Sequence, residues 1–225
     1  MADWGWGHFC AIFRPLAGRA TPAIERGENP RGPRSRRALM FSELDPPPKE
    51  AMTSATPTLS MYAASIPVFK QMLGGLQLVL SQAEAHAEAR KIDPNALLEA
   101  RLFPDMFPLL RQVQVATDFA KSVSARLAGV DVPKVADTEL TFAELQARIN
   151  STLAFIEGLS PASFDAAATR EIVTQAGTPK EKRFTGLSYL LNYGLPHFFF
   201  HTTTAYAILR HGGVEVGKKD YIGAY

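Results

Sequence analysis

The chain has 225 residues, 46% hydrophobic and 20% charged, which is the composition of a globular protein with room for one ordinary domain and a tail. Its formal net charge of +2 leaves no strong electrostatic footprint for nucleic acid, and no run of eighteen apolar residues offers a membrane span. A single cysteine, Cys10, rules out an intrachain disulfide framework or a cysteine metal cluster, which fits a reducing, cytoplasmic compartment.

Residues 1–51 hold seven of the sixteen prolines, among them Pro46-Pro47-Pro48, together with the stretch GENPRGPRSRR. Proline removes a donor and fixes φ, so no continuous element is expected there. The start, MADWGWGHFCAIF, lacks the basic residues of a signal peptide. The segment reads as a disordered extension or as the product of a start placed upstream of Met52. The second reading is preferred, because regular periodicity begins within ten residues of Met52; a basic nucleic-acid-binding tail ranks third.

A first long helix is predicted over about Ser60–Ala89. Ile66, Phe69, Leu73, Leu76, Leu80, Ala83 and Ala87 recur at alternating steps of three and four, one seam facing partners. Pro67 falls early, where it costs least, and Gly74-Gly75 weakens the middle or lets a neighbour come close. Asp93 and Pro94 read as the cap and first turn of a short helix to about Arg101.

A second long helix is predicted from about Pro104 to Gly129, with Met106, Leu109, Val113, Ala116, Ala120, Val123 and Leu127 as its seam. Gly129 is a natural C-terminal cap. A third runs over about Glu139–Gly158, with Phe142, Leu145, Ile149, Leu153 and Ile156 as its stripe and a capping box best placed at Thr141 and Glu144. Residues 171–175 and 182–184 flank GlyThrProLys and predict a small hairpin or an irregular insert. A fourth helix is predicted over about Leu187–His211, with Leu190, Gly194, His197, His201, Ala205 and Ile208 on one face, and residues 217–223 as a tail. These elements specify an all-α protein, a four-helix bundle with a small insert before the last helix. Up-and-down wiring is the simplest order, and the longer 159–186 connection permits a crossover.

His197 and His201 stand four apart on one helix face and can chelate one divalent metal. The competing reading is two core imidazoles in the packing zone of Phe198, Phe199 and Phe200. Phe198 stands where a zinc-protease motif requires glutamate. A catalytic metal wants a third protein ligand, and His86 and Asp105 are the candidates, with Asp118 a third option. His86 lies level with His197 only if the fourth helix runs parallel to the second. If the fourth runs parallel to the first, His86 is displaced from His201 by roughly 15–20 Å at ~1.5 Å per residue. Asp105 also reads as a first-turn carboxylate suited to the helix dipole. Asp118 lies opposite the seam with Arg111 and Ser122 and reads as solvated. Tyr206 and Arg210 read as structural anchors.

The stretches AEAHAEARKIDP (83–94), ARLFPDMFPLLRQVQVATDFAK (100–121) and LPHFFFHTTTAYAILRHGGVEVGKKDYIG (195–223) resemble the DUF1993 family, which looks like a branch of the DinB/YfiT-like superfamily of four-helix bundles. The resemblance covers residues 59–223 and supports Met52 as the start. It implies a divalent metal held by one histidine of the second helix and a pair four apart on the fourth. His197 and His201 match that pair. The second-helix histidine has no counterpart, since none lies between His86 and His197. If a metal is held, zinc or nickel suits imidazole ligands, with His86 or Asp105 completing the shell. Thiol-dependent transfer is known among the superfamily and would come here by fold analogy only. The alternative is a bundle without the metal that works as a homodimer or a partner-binding module. A small-molecule ligand in an apolar pocket is a third reading.

Overall fold

The computed structural model describes residues 59–224, so the reading of residues 1–51 lies outside the described residues. Helix α1 spans Ile66–Arg90, and all seven expected seam residues are buried. It begins six residues later than the periodicity suggests. Residues 61–65 are wound as turns, with the buried Ser65 hydroxyl donating to the Met61 carbonyl at 2.6 Å. Pro67 has no N–H to give to a preceding helical turn, so regular helix starts beside it. Lys91 ends α1 at φ 55°, and the Ile92 N–H returns to the Ala87 carbonyl at 2.8 Å. Helix α2, Pro94–Leu98, is capped by the Asp93 carboxylate, which accepts from the Asn95 N–H at 3.0 Å, and stops short of Arg101.

Helix α3, Leu109–Ala128, starts five residues after the expected Pro104. Pro108 is the reason: it disfavours helical geometry at Phe107 and offers no N–H to a turn begun earlier. Met106 therefore lies in the preceding turn, whereas Leu109 to Leu127 form the buried seam as expected. Gly129, at φ 73°, closes the helix. Helix α4, Phe142–Glu157, opens on the Thr141–Glu144 capping box and buries Phe142, Leu145, Ile149 and Ile156. A short 3₁₀ turn, Pro161–Phe164, leads to the hairpin β1 (Glu171–Thr174) and β2 (Lys182–Thr185), paired antiparallel with Ile172 opposite Phe184.

The last long helix is one rod in three parts. Helix α5 (Gly186–Tyr189) continues through a wide π turn, Leu190–Gly194, into α6 (Leu195–His211). The Leu195 N–H reaches back to the Leu190 carbonyl. Pro196 explains the widening: its ring lacks an N–H and would press on the carbonyl of residue 192 in a regular helix, and an extra residue in the turn relieves the clash.

The wiring departs from a simple up-and-down order. Lys70 pairs with Glu157 at 2.8 Å, Gln77 with Asn150 at 2.7 Å, and Ser81 with Gln146 at 3.0 Å, so α1 and α4 are antiparallel. Gln112 meets His201, Phe119 meets His197 and Arg126 meets Tyr189, so α3 and α6 are antiparallel. Phe69 packs on Phe198 with centroids 4.9 Å apart, while His86 and Glu215 line one hollow, so α1 and α6 are parallel. Helices α3 and α4 are then parallel, and the crossover is the 130–141 segment rather than 159–186. It runs back along α3, bringing Asp137 and Glu139 to Arg111 and Gln114.

Residues 217–223 are not a free tail. Helix α7, Lys218–Ile222, lies across α1, where Gln71 donates to the Ile222 carbonyl at 3.1 Å and Gln82 to Asp220 at 3.1 Å. Arg210 donates to the Val214 carbonyl at 3.3 Å and Tyr206 packs on Tyr221, which fits their reading as anchors. Gly75 permits the approach of α7: a β-carbon there would collide with the Tyr221 carbonyl oxygen, whereas one at Gly74 meets nothing. Gly75→Leu is therefore expected to lose about 1–3 kcal/mol by overpacking. Gly74→Ala should gain about 0.5–1 kcal/mol from helix propensity. Urea unfolding midpoints of the two variants check the contrast. Among the described residues no helix is long and apolar enough to cross a membrane.

Candidate functional site

Two rows face each other along the α3–α6 contact. Gln112, Phe119 and Arg126 stand at seven-residue steps on α3, one position ahead of its seam. Tyr189, Tyr193, His197 and His201 stand four apart on the rod opposite. Four-residue steps keep side chains nearly in line on a helix, so the rows meet in antiparallel order.

At one end, His201 is buried at 8% exposure. Its Nδ1 lies 2.7 Å from Gln112 Oε1. The Gln112 amide nitrogen donates to the Phe107 carbonyl at 3.1 Å, which turns Oε1 toward the histidine. His201 therefore carries its proton on Nδ1 and donates it, leaving Nε2 as the acceptor. Burial drives the His201 imidazole down to about 4, and the positive charges of His197 and Arg111 push the same way. His201 is neutral at physiological pH.

In the middle, the exposed His197 ring stacks on Phe119 with centroids 4.7 Å apart and planes 4° apart. Tyr193 packs against it at 4.5 Å. Burial, then Lys182, lowers the His197 pKa. At the far end, Arg126 donates to the Tyr189 hydroxyl at 3.0 Å, and burial raises the Tyr189 pKa.

The structure separates the sequence candidates. His86 lines a hollow with Gln82, Arg90 and Glu215 at the opposite end of α1, as the parallel α1–α6 wiring requires. Asp105 is exposed in the turn before α3. Asp118 is not simply solvated: it pairs with Arg148 and Lys121, each at 2.9 Å. The residue of α3 that faces both histidines is Phe119, whose ring offers no ligand atom. Among the described residues no three His, Cys, Asp or Glu side chains group to hold a metal ion. The donor set is two imidazoles, which does not fit the three-ligand centre that a catalytic metal requires.

Gln112, Phe119, Tyr193 and Arg126 were not among the sequence candidates. Their signal was present in the spacing, as a row flanking each apolar seam, yet only the pairing of α3 with α6 gives it meaning.

The His201 shift has a measurable consequence. Its folded-state value lies below that of a free imidazole, so between pH 6.5 and about 4 the unfolded chain binds a proton that the folded chain refuses. The stability it contributes is complete above that window and is lost as pH falls through it. Urea unfolding should show a loss of roughly 2–3 kcal/mol between pH 7 and pH 4 from this group. His201→Gln should flatten that slope, and an unchanged slope would refute the assignment.

The family model described as Domain of unknown function (DUF1993) matches residues 61–222. A crystal structure of a DinB family member protein from Shewanella denitrificans is 47% identical, with a TM-score of 0.69. The match covers 73% of this chain and 92% of that one. No curated protein matches the chain.

Proposed function

This chain belongs to the DUF1993 family, and from that premise we propose that it is a DinB-like bundle binding a small molecule beside His197 and His201 at the α3–α6 contact, with His201 Nε2 as a hydrogen-bond acceptor. One observation carries the reading: a buried, neutral imidazole whose Nδ1–H is fixed by Gln112 at 2.7 Å. A histidine held in one tautomer presents a directed acceptor, and desolvation strengthens any hydrogen bond made to it. The stacked His197 and Phe119 rings supply an apolar wall beside it.

A second reading is a divalent cation, zinc or nickel, held by His197 and His201 with its remaining ligands from solvent. The Gln112 contact favours it, because an outer-shell acceptor on the far ring nitrogen also orients a metal-binding histidine.

Metal content by mass spectrometry on the full chain, beside a His197→Ala/His201→Ala variant, separates the two. Metal-free protein whose His201 ring resonances shift saturably with a neutral fragment carrying an N–H or O–H donor is the expected result. Near-stoichiometric metal that the double variant loses would establish the second reading instead. If no fragment moves His201, the histidine pair is not a ligand site.

A further inference from the structure

At the Arg126 end of the α3–α6 contact, away from His201, lies a cavity of about 190 Å³ between α3, the hairpin and the π turn. Phe119, Ser122, Arg126, Gln175, Tyr189 and Tyr193 line it. We propose that this cavity binds a small carboxylate with a flat apolar body, its anionic end on Arg126.

The charges decide the class of ligand. Arg126 takes part in none of the ion pairs among the described residues. Its Nη1 donates to the Tyr189 hydroxyl at 3.0 Å and the Ser122 carbonyl at 3.5 Å, both neutral acceptors. A half-buried guanidinium without a counter-ion among the described residues attracts an anion and can grip a carboxylate with two parallel N–H donors. Asp118 also lines the cavity, but Arg148 and Lys121 already neutralise it. Lys182 adds a second cation near the rim, its Nζ 5.6 Å from the Tyr193 ring centroid.

Size and walls narrow the class further. Phe119 and Tyr193 give the cavity aromatic surface, which suits a planar body. A volume of 190 Å³ is below that of pockets for drug-sized ligands, which start at about 300 Å³. At the edge, Gln175 holds φ 52°, a left-handed backbone that a non-glycine residue adopts at a cost and that clusters at ligand sites. The adjacent π turn is of the kind that recurs at functional sites.

The inference stands on Arg126 and not on the His201 reading, and the test keeps them apart. The full chain is titrated with benzoate, benzamide and inorganic phosphate, followed by amide NMR. Benzoate is expected to shift Ser122, Arg126 and Gln175 saturably and to bind at least about tenfold more tightly than benzamide. Arg126→Met should abolish that preference, Arg126→Lys should keep part of it, and His201→Gln should leave it intact. Benzamide binding as well as benzoate, phosphate binding as tightly as benzoate, or an unchanged preference in Arg126→Met would each overturn the proposal.

Discussion

Replacing Arg148 by alanine is expected to cost about 3–5 kcal/mol, the loss that follows when one partner of a buried charge network is removed. The Arg148 side chain is 3% exposed and spends every donor. Its Nε donates to Thr117 at 2.8 Å. Nη1 donates to Glu139 at 3.0 Å and to the Ala136 carbonyl at 3.1 Å, and Nη2 to Asp118 and Asp137 at 2.9 Å each. One guanidinium thus ties α4 to α3 and clamps the crossover segment that makes the two helices parallel. Truncation would leave the Glu139 carboxylate, 11% exposed, without its cation. Arg148→Lys should recover only part of the loss, because an ammonium lacks the planar fork. Chemical unfolding at neutral pH checks the ranking, and a loss below 1 kcal/mol for the alanine variant would show that the network is replaceable. Acid should weaken the same clamp. Burial raises the Asp137 pKa, but the hydrogen bond and charge of Arg111, with those of Arg148, outweigh it and lower the value overall. Its contribution is therefore present above the ordinary carboxylate range and lost as pH falls below it.

The second large effect is a gain. Phe119→His should tighten zinc or nickel binding by roughly 100-fold, or about 2.7 kcal/mol, by adding a third imidazole to the two it faces. The Phe119 centroid lies 4.7 Å from that of His197 and 6.0 Å from that of His201. The gain should vanish in Phe119→His/His201→Ala, which returns the donor set to two. Competition against a chromogenic chelator reads the affinities directly. Equal affinities of wild type and Phe119→His would mean that position 119 does not face the space where a ligand is missing.

Much of the architecture was legible before any tertiary contact was known. The seams of α1, α3, α4 and α6, the Thr141–Glu144 box, the Asp93 cap and the hairpin at 171–185 rest on rules that act within a few residues. Errors at helix starts fell beside Pro67 and Pro108, where periodicity continued but the backbone could not. Among the candidate site residues, the His197 and His201 pair was visible because four-residue spacing is itself a statement about one helix face. The remaining candidates were not decidable, since a heptad row says which way a side chain points and nothing about what it meets.

The sequence by itself determined which segments are helical, which face each one buries, and that two histidines share a face of the last helix. Only the tertiary structure decided the direction of each helix, and with it that His86 lies far from His201 and that Phe119 and Gln112 lie near it. It also decided that Arg148 gathers three carboxylates and that α7 seats on Gly75. The physical reason is one of range. Helix propensity, capping and amphipathic period are local, whereas helix order and polarity are chosen by which long-range packing buries the most surface with its polar groups satisfied.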